Sequence, residues 1–182
     1  MRCGGTEVVI EWERVGNGGD ENMFPQRMGA FVREESQRQN VSRVALQCPC
    51  GGDGFELRYD GTIQKHLLSG DSLVGEKTGL CLSADCPSCG RKVLLFDSMR
   101  HGYDAVNERD NRQVVERQPG KRYACKRCGG TRFGVEMRFE YAGLEDVGEE
   151  LPKDECFSWL WVDIACGQCR KKKHGFVDVE TA

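Results

Sequence analysis

CPCGG at 48–52 and CPSCGRK at 86–92 recur as CKRCGG at 125–130 and CGQCRKK at 166–172. These four stretches carry close cysteine pairs: Cys48 and Cys50, Cys86 and Cys89, Cys125 and Cys128, Cys166 and Cys169. Thirty-five residues lie between Cys50 and Cys86 and 37 between Cys128 and Cys166, so the pairs fall into two similar sets. Two tight turns presenting two thiols each are how a tetrahedral four-sulfur site for one metal ion is assembled. The expectation is a duplicated unit with one metal site per copy.

The copies agree beyond their cysteines. Cys128, Gly129, Gly130 and Phe133 fall on Cys50, Gly51, Gly52 and Phe55, and Phe176 stands seven residues after Cys169 just as Phe96 stands seven after Cys89. The period is 78 to 80 residues, and a shift that aligns ligands, glycines and aromatics together is the mark of an internal repeat.

A unit of about 60 to 70 residues buries a thin core and is marginally stable alone, so a metal staple in each half fits the length of 182 residues. The first residues show no basic and then apolar leader, and no run is long enough to span a bilayer. The expectation is a cytoplasmic protein with no membrane contact. In a reducing compartment close thiol pairs are metal ligands before they are disulfides. Cys48 and Cys50, one residue apart, would also bridge only under strain. Of the eleven cysteines Cys3, Cys81 and Cys156 remain outside the pairs, and they read as small buried hydrophobes.

Taken in order, residues 1–41 read as an extension. It holds a strand in TEVVIEWE, with Val8, Ile10 and Trp12 on one face, then a glycine-rich loop, then a short helix in AFVREESQRQN. Gly16, Gly18 and Gly19 lack the lysine and helix that a phosphate loop needs. The first unit spans 42–103, with a hairpin predicted in FELRYDGTIQKH about Asp60 and Gly61, then a loop in LLSGDSLVGEK, then strands on either side of the second knuckle. Residues 104–122 form a polar linker with a helix of two or three turns between Ala105 and Gln118. The second unit spans 123–182. Its VEMRFEY alternates Val135, Met137, Phe139 and Tyr141 against Glu136, Arg138 and Glu140, the pattern of a half-buried strand. CFSWLWVDIA leads as a strand into the last knuckle, and AGLEDVGEELPKDE is an acidic loop between them.

Two cysteine knuckles at the end of a small antiparallel sheet resemble the zinc-ribbon class. The resemblance covers about 120 residues, and it implies Zn(II), two per chain, held by Cys48, Cys50, Cys86 and Cys89 and by Cys125, Cys128, Cys166 and Cys169. The fold expected is mainly β, two duplicated ribbon-like units behind the N-terminal extension. The first knuckle departs from the pattern, with one residue between its cysteines; if Cys48 is not a ligand, Cys81 or His66 is the nearest substitute. Iron is the chemical alternative for a four-thiolate site. His101 and His174 read as surface histidines.

A closed four-thiolate site leaves no position for water or substrate, and the sequence has no Ser-His-Asp set, no His-Glu metal motif and no nucleophile beside a base. The expectation is a non-enzymatic binding module with no small-molecule substrate. Its formal charge of −3 does not mark a general nucleic-acid binder. The second unit nevertheless places Lys121, Arg122, Lys126, Arg127, Arg170, Lys171, Lys172 and Lys173 around its knuckles, a patch able to contact phosphates. Part of that charge has a structural reason, since a zinc ion with four thiolates carries about −2. Phe157, Trp159 and Trp161 would stack bases if exposed; packing into the thin core is the competing expectation. Two further roles stand beside nucleic-acid binding: docking to a larger protein complex through the acidic loop and sheet edges, and thiol redox or zinc storage.

Overall fold

The structure, a computed structural model, describes residues 24–66, 70–77, 79–107, 117–141 and 151–182. The strand expected at 6–13, Cys3, the middle of the linker and most of the acidic loop lie outside the described residues. The architecture is mainly β and antiparallel. After a 3-10 helix at Gln26–Phe31 come β1 (Val32–Arg38), β2 (Val41–Leu46), β3 (Phe55–Asp60), β4 (Thr62–His66), β5 (Gly70–Val74), β6 (Cys81–Asp85) and β7 (Lys92–Asp97). Helix α1 (Tyr103–Asn107), β8 (Lys121–Arg122), β9 (Arg132–Glu140), β10 (Trp159–Cys166) and β11 (Lys172–Glu180) complete the order.

Strand β9 is the seam. Its alternation sends Phe133, Val135, Met137 and Phe139 into the core, as period-two patterning requires. One edge of β9 pairs with β10 from Phe133 to Glu140. The other pairs with β3 at Arg132 and Phe133 and with β2 from Glu136 to Glu140. From this junction the first half continues as β3, β6, β7 and the second as β9, β10, β11. The two halves also exchange a strand: β2, before the first knuckle, pairs with β9, whereas β8, before the third, pairs with β3.

Phe55, Phe96, Phe133, Phe139, Phe157 and Phe176 are all fully or almost fully buried, so both aromatic pairs matched by the sequence comparison lie inside. Phe139 meets Phe157 edge to face at 5.1 Å between ring centroids, and Tyr123 meets Phe176 at 4.6 Å, separations at which aromatic pairs add to simple burial. Below this core a polar network ties the ends together. Asp97, wholly buried, accepts from the Arg117 guanidinium and from the Met99 amide, and its own amide donates to His101 Nδ1 at 3.0 Å. Arg27, on the 3-10 helix, reaches both Glu155 and the Leu95 carbonyl.

Several local expectations are corrected. AFVREESQRQN forms no α-helix; Val32–Arg38 is β1, because six residue pairs with β2 outweigh the helix propensity of its Arg, Glu and Gln residues. Asp60 and Gly61 do not turn a hairpin between β3 and β4. Gly61, at φ 135°, sends the chain out of the main sheet, where β4 pairs instead with β5, a strand within the segment expected as a loop. A side chain at Gly61 would meet the Val74 carbonyl at 2.5 Å. The linker helix expected between Ala105 and Gln118 lies mostly outside the described residues, and α1 reaches only its first positions. His101 is not on the surface but 4 % exposed. No helix among the described residues is long and apolar enough to cross a membrane.

Because β9 joins strands from both halves, Phe133→Ala is expected to cost about 3–5 kcal/mol. It should lower the midpoint of one shared transition. Urea unfolding followed in parallel by far-UV and near-UV circular dichroism checks this, and two separated transitions would contradict it.

Candidate metal centres

The eight paired cysteines converge into two groups, Cys48, Cys50, Cys86 and Cys89 and, separately, Cys125, Cys128, Cys166 and Cys169. Within each group the four sulfurs lie within 4.8 Å of one another. Cys48 and Cys89 sulfurs are 3.4 Å apart, Cys50 and Cys86 3.6 Å, Cys125 and Cys169 3.7 Å, and Cys128 and Cys166 3.6 Å. A tetrahedral ion with metal–sulfur bonds of about 2.3 Å needs edges of about 3.8 Å, so either group could hold one metal ion. The first cysteine of every pair is buried, while the second faces water, more so for Cys50 and Cys89 than for Cys128 and Cys169. Among the described side chains, Cys81, an alternative ligand, is not part of either group. Cys81 begins β6, buried and opposite Asp97, and His66 ends the β4 strand outside the main sheet.

Backbone closure explains the knuckles and resolves the irregular one. In three of them the first cysteine donates its amide to the carbonyl five residues on, to Arg91, Gly130 and Lys171, and its carbonyl accepts from the amide four residues on, at Gly90, Gly129 and Arg170. In the tight knuckle both bonds shorten by one residue: Cys48 donates to Gly52 and accepts from Gly51. The deletion between the cysteines is therefore absorbed inside the turn. The residue closing each turn has positive φ, 90° at Gly51, 75° at Gly90, 74° at Gly129 and 59° at Arg170. Glycine takes that conformation freely, whereas a residue with a side chain gives up about 1–2 kcal/mol there, so Arg170 is the exception.

The sulfurs do not share charge evenly. Burial pushes Cys48 up to about 12 although the Cys50 amide donates to it. Burial acts on Cys86 in the same sense, but the amides of Cys89 and Ser88 and the neighbouring thiols bring it down to about 6. Cys166 repeats this arrangement, with burial overcome by the amides of Cys169 and Gln168, and falls to about 7. At Cys128 the Gly130 amide pulls down, yet burial and three adjacent thiols raise it to about 12. In each group, amide donors thus favour the thiolate at one sulfur, Cys86 or Cys166, the form in which a cysteine binds metal.

The basic residues of the second half divide in two. Lys121 reaches Glu76 and the Gly61 carbonyl, Arg122 binds Glu56 at 2.7 Å, and Lys126 binds Asp71 at 2.6 Å. All these partners belong to the first half, so these three cations are engaged between the halves. Arg127, Arg170, Lys171 and Lys172 are exposed, and Lys173 is half-buried. Lys126, Arg127, Lys171, Lys172, Lys173 and His174 line a groove of about 570 Å³ beside the second cysteine group, with Tyr123 in it. His174 lies on the surface, 3.0 Å from Asp163.

Of the three aromatics, only Phe157 enters the core. Trp159 and Trp161 occupy the opposite sheet face, half-exposed and stacked with 14° between their planes, which corrects the expectation of core packing. The Arg138 guanidinium lies 5.0 Å from the Trp161 ring centre, and Trp159 Nε1 donates to Asp178 at 2.7 Å. Parity along β10 carried this signal: Leu160, Val162 and Ile164 are inside, so 159 and 161 must face outward.

Each group is expected to bind one metal independently. Elemental analysis should find two metals per chain, one in Cys89→Ser, one in Cys169→Ser and none when both are changed. Chelation is expected to abolish the strand signal in circular dichroism, because metal binding and folding are coupled in such sites. Compared with protein-family models, curated proteins and solved structures, the chain matches none of them, so its family is not assigned by likeness and its function rests on the residues themselves.

Proposed function

We propose that this chain is a non-enzymatic binding module, stapled by two zinc ions, that contacts nucleic acid through the basic knuckles of its second half. Zinc is preferred because four thiolates in a tetrahedron suit a closed-shell ion with no geometric demand of its own. The observation that carries the nucleic-acid reading is the groove beside the second cysteine group. Two segments far apart in sequence, Lys126 with Arg127 and Lys171 to His174, supply its banks, and the one acid lining it, Asp71, is held by Lys126. Each exposed cation there can displace counterions from a phosphate backbone, and binding driven this way weakens steeply with salt. With a net charge of −3, such contact depends on local clusters of cations and not on the charge of the whole chain.

A second reading, docking to a larger protein complex, is favoured by the outer sheet face. Trp159 and Trp161 lie there beside Asp178 and Glu180, and β1, β7 and β11 each pair on one side only among the described strands. Tryptophan is enriched among the residues that carry binding energy at protein interfaces.

The two readings separate in one experiment. The parent chain should bind a labelled single-stranded oligonucleotide at low salt, and Lys171→Glu with Lys172→Glu should weaken it more than tenfold and make the dependence of log affinity on log salt shallower by about 2. No binding by the parent at low salt would discard the nucleic-acid reading and leave protein docking.

A further inference from the structure

Phe55 lies directly opposite Phe133 in the antiparallel pairing of β3 and β9, and these residues hold corresponding places after their knuckles. Antiparallel pairing of a position with its own counterpart places a local two-fold axis between them. The rest of the register obeys the same operation: Val44 faces Met137, and the counterparts of those two, Lys121 and Tyr59, face each other. The halves meet as the subunits of a two-fold dimer meet, each giving the other the strand before its first knuckle. Both cysteine groups are thereby set on either side of the axis.

Between them runs a groove of about 670 Å³ lined from both halves. Glycines at 52, 54, 129, 130 and 167 leave bare backbone along it, and Pro87 is the one apolar side chain beside a few hydroxyl and amide groups. That lining suits a chain that must come close to backbone, and not an apolar small molecule. The symmetry breaks in charge: Arg132 and Arg170 line the second half's bank, where the first half has Gly54 and Gly90 at the corresponding positions. Arg170 holds a positive φ that glycine supplies in the other three knuckles, so a guanidinium stands where the backbone favours glycine.

We propose that the groove between the two cysteine groups, with Arg132 and Arg170 on its cationic bank, is the channel in which the phosphodiester backbone of a single nucleic-acid strand crosses the molecule. This rests on the nucleic-acid reading above and gives it a path: phosphates lie against the two guanidiniums, and the glycine bank admits the sugar edge. Guanidiniums suit the task because their planar fork grips phosphate oxygens in pairs. One carboxylate, Asp53, also lines the groove, against two guanidiniums.

The test uses the full chain with both metals and a fluorescein-labelled single strand of about twelve nucleotides, within the span a small binding fold covers. Arg170→Gly is expected to keep two metals, to melt no lower than the parent because glycine accepts the backbone angle, and to bind five- to tenfold more weakly at 0.1 M salt. Arg132→Gln, which leaves the strand intact, should weaken binding to a similar degree. Parent-like affinity in both variants, while Lys171→Glu with Lys172→Glu is impaired, would overturn the channel and leave the basic groove as the contact. Loss of metal or of melting temperature in Arg170→Gly would assign Arg170 to balancing thiolate charge and equally overturn it. A parent that binds no strand at low salt defeats both readings together.

Discussion

The pairing of β3 with β9 is the constraint on which the rest depends. It is short, two residue pairs at Phe55 with Phe133 and Glu56 with Arg132, yet it lets strands from both halves extend one sheet and lets their aromatic residues share one core. Neither half has the surface to bury a sizeable core alone. Sharing one changes the balance: Phe139 packs on Phe157, which packs on Phe96, so the second half's aromatics are closed by the first half's. Exchange of β2 and β8 adds hydrogen bonds across the same boundary, and the ion pairs of Arg122 with Glu56 and of Lys126 with Asp71 lie across it as well.

The cysteine groups sit at the end of this sheet because the knuckles interrupt strands. Each turn is closed by two backbone hydrogen bonds, and the amides of Ser88, Cys89, Gln168 and Cys169 are aimed at sulfur. The scaffold thus directs amide donors at one sulfur of each group. It also brings the turns of the two halves together across the local axis, which makes a surface of backbone and arginine that neither half would form alone. Charge on that surface is uneven, since part of the basic collar is spent between the halves and the remainder is presented outward.

Local patterns were readable where the signal is local. The eight paired cysteines, their division into two groups, the burial of Val135, Met137, Phe139 and Tyr141, and the strands flanking Cys86 and Cys166 all follow from spacing and alternation over a few residues. Failures fell where a partner distant in sequence decides. Val32–Arg38 carries helix-forming side chains but lies within reach of β2; Asp60 and Gly61 have the composition of a hairpin turn, but β3 is already occupied by β6, β8 and β9. His101 was unreadable because its burial comes from Asp97 and Arg27, one of them 74 residues away.

Sequence alone determined which cysteines come together in pairs, because residue identity and spacing within a knuckle are covalent facts. It also determined which residues of each strand are apolar, hence which face is inside. Only the tertiary structure decided that the two sets of strands merge, that Trp159 and Trp161 face outward, that Lys121, Arg122 and Lys126 are turned toward the first half, and that Arg132 and Arg170 share a groove between the cysteine groups. Those outcomes depend on strand register between segments about 80 residues apart, and register is set by the summed burial and hydrogen bonding of whole strands, which no short stretch of sequence contains.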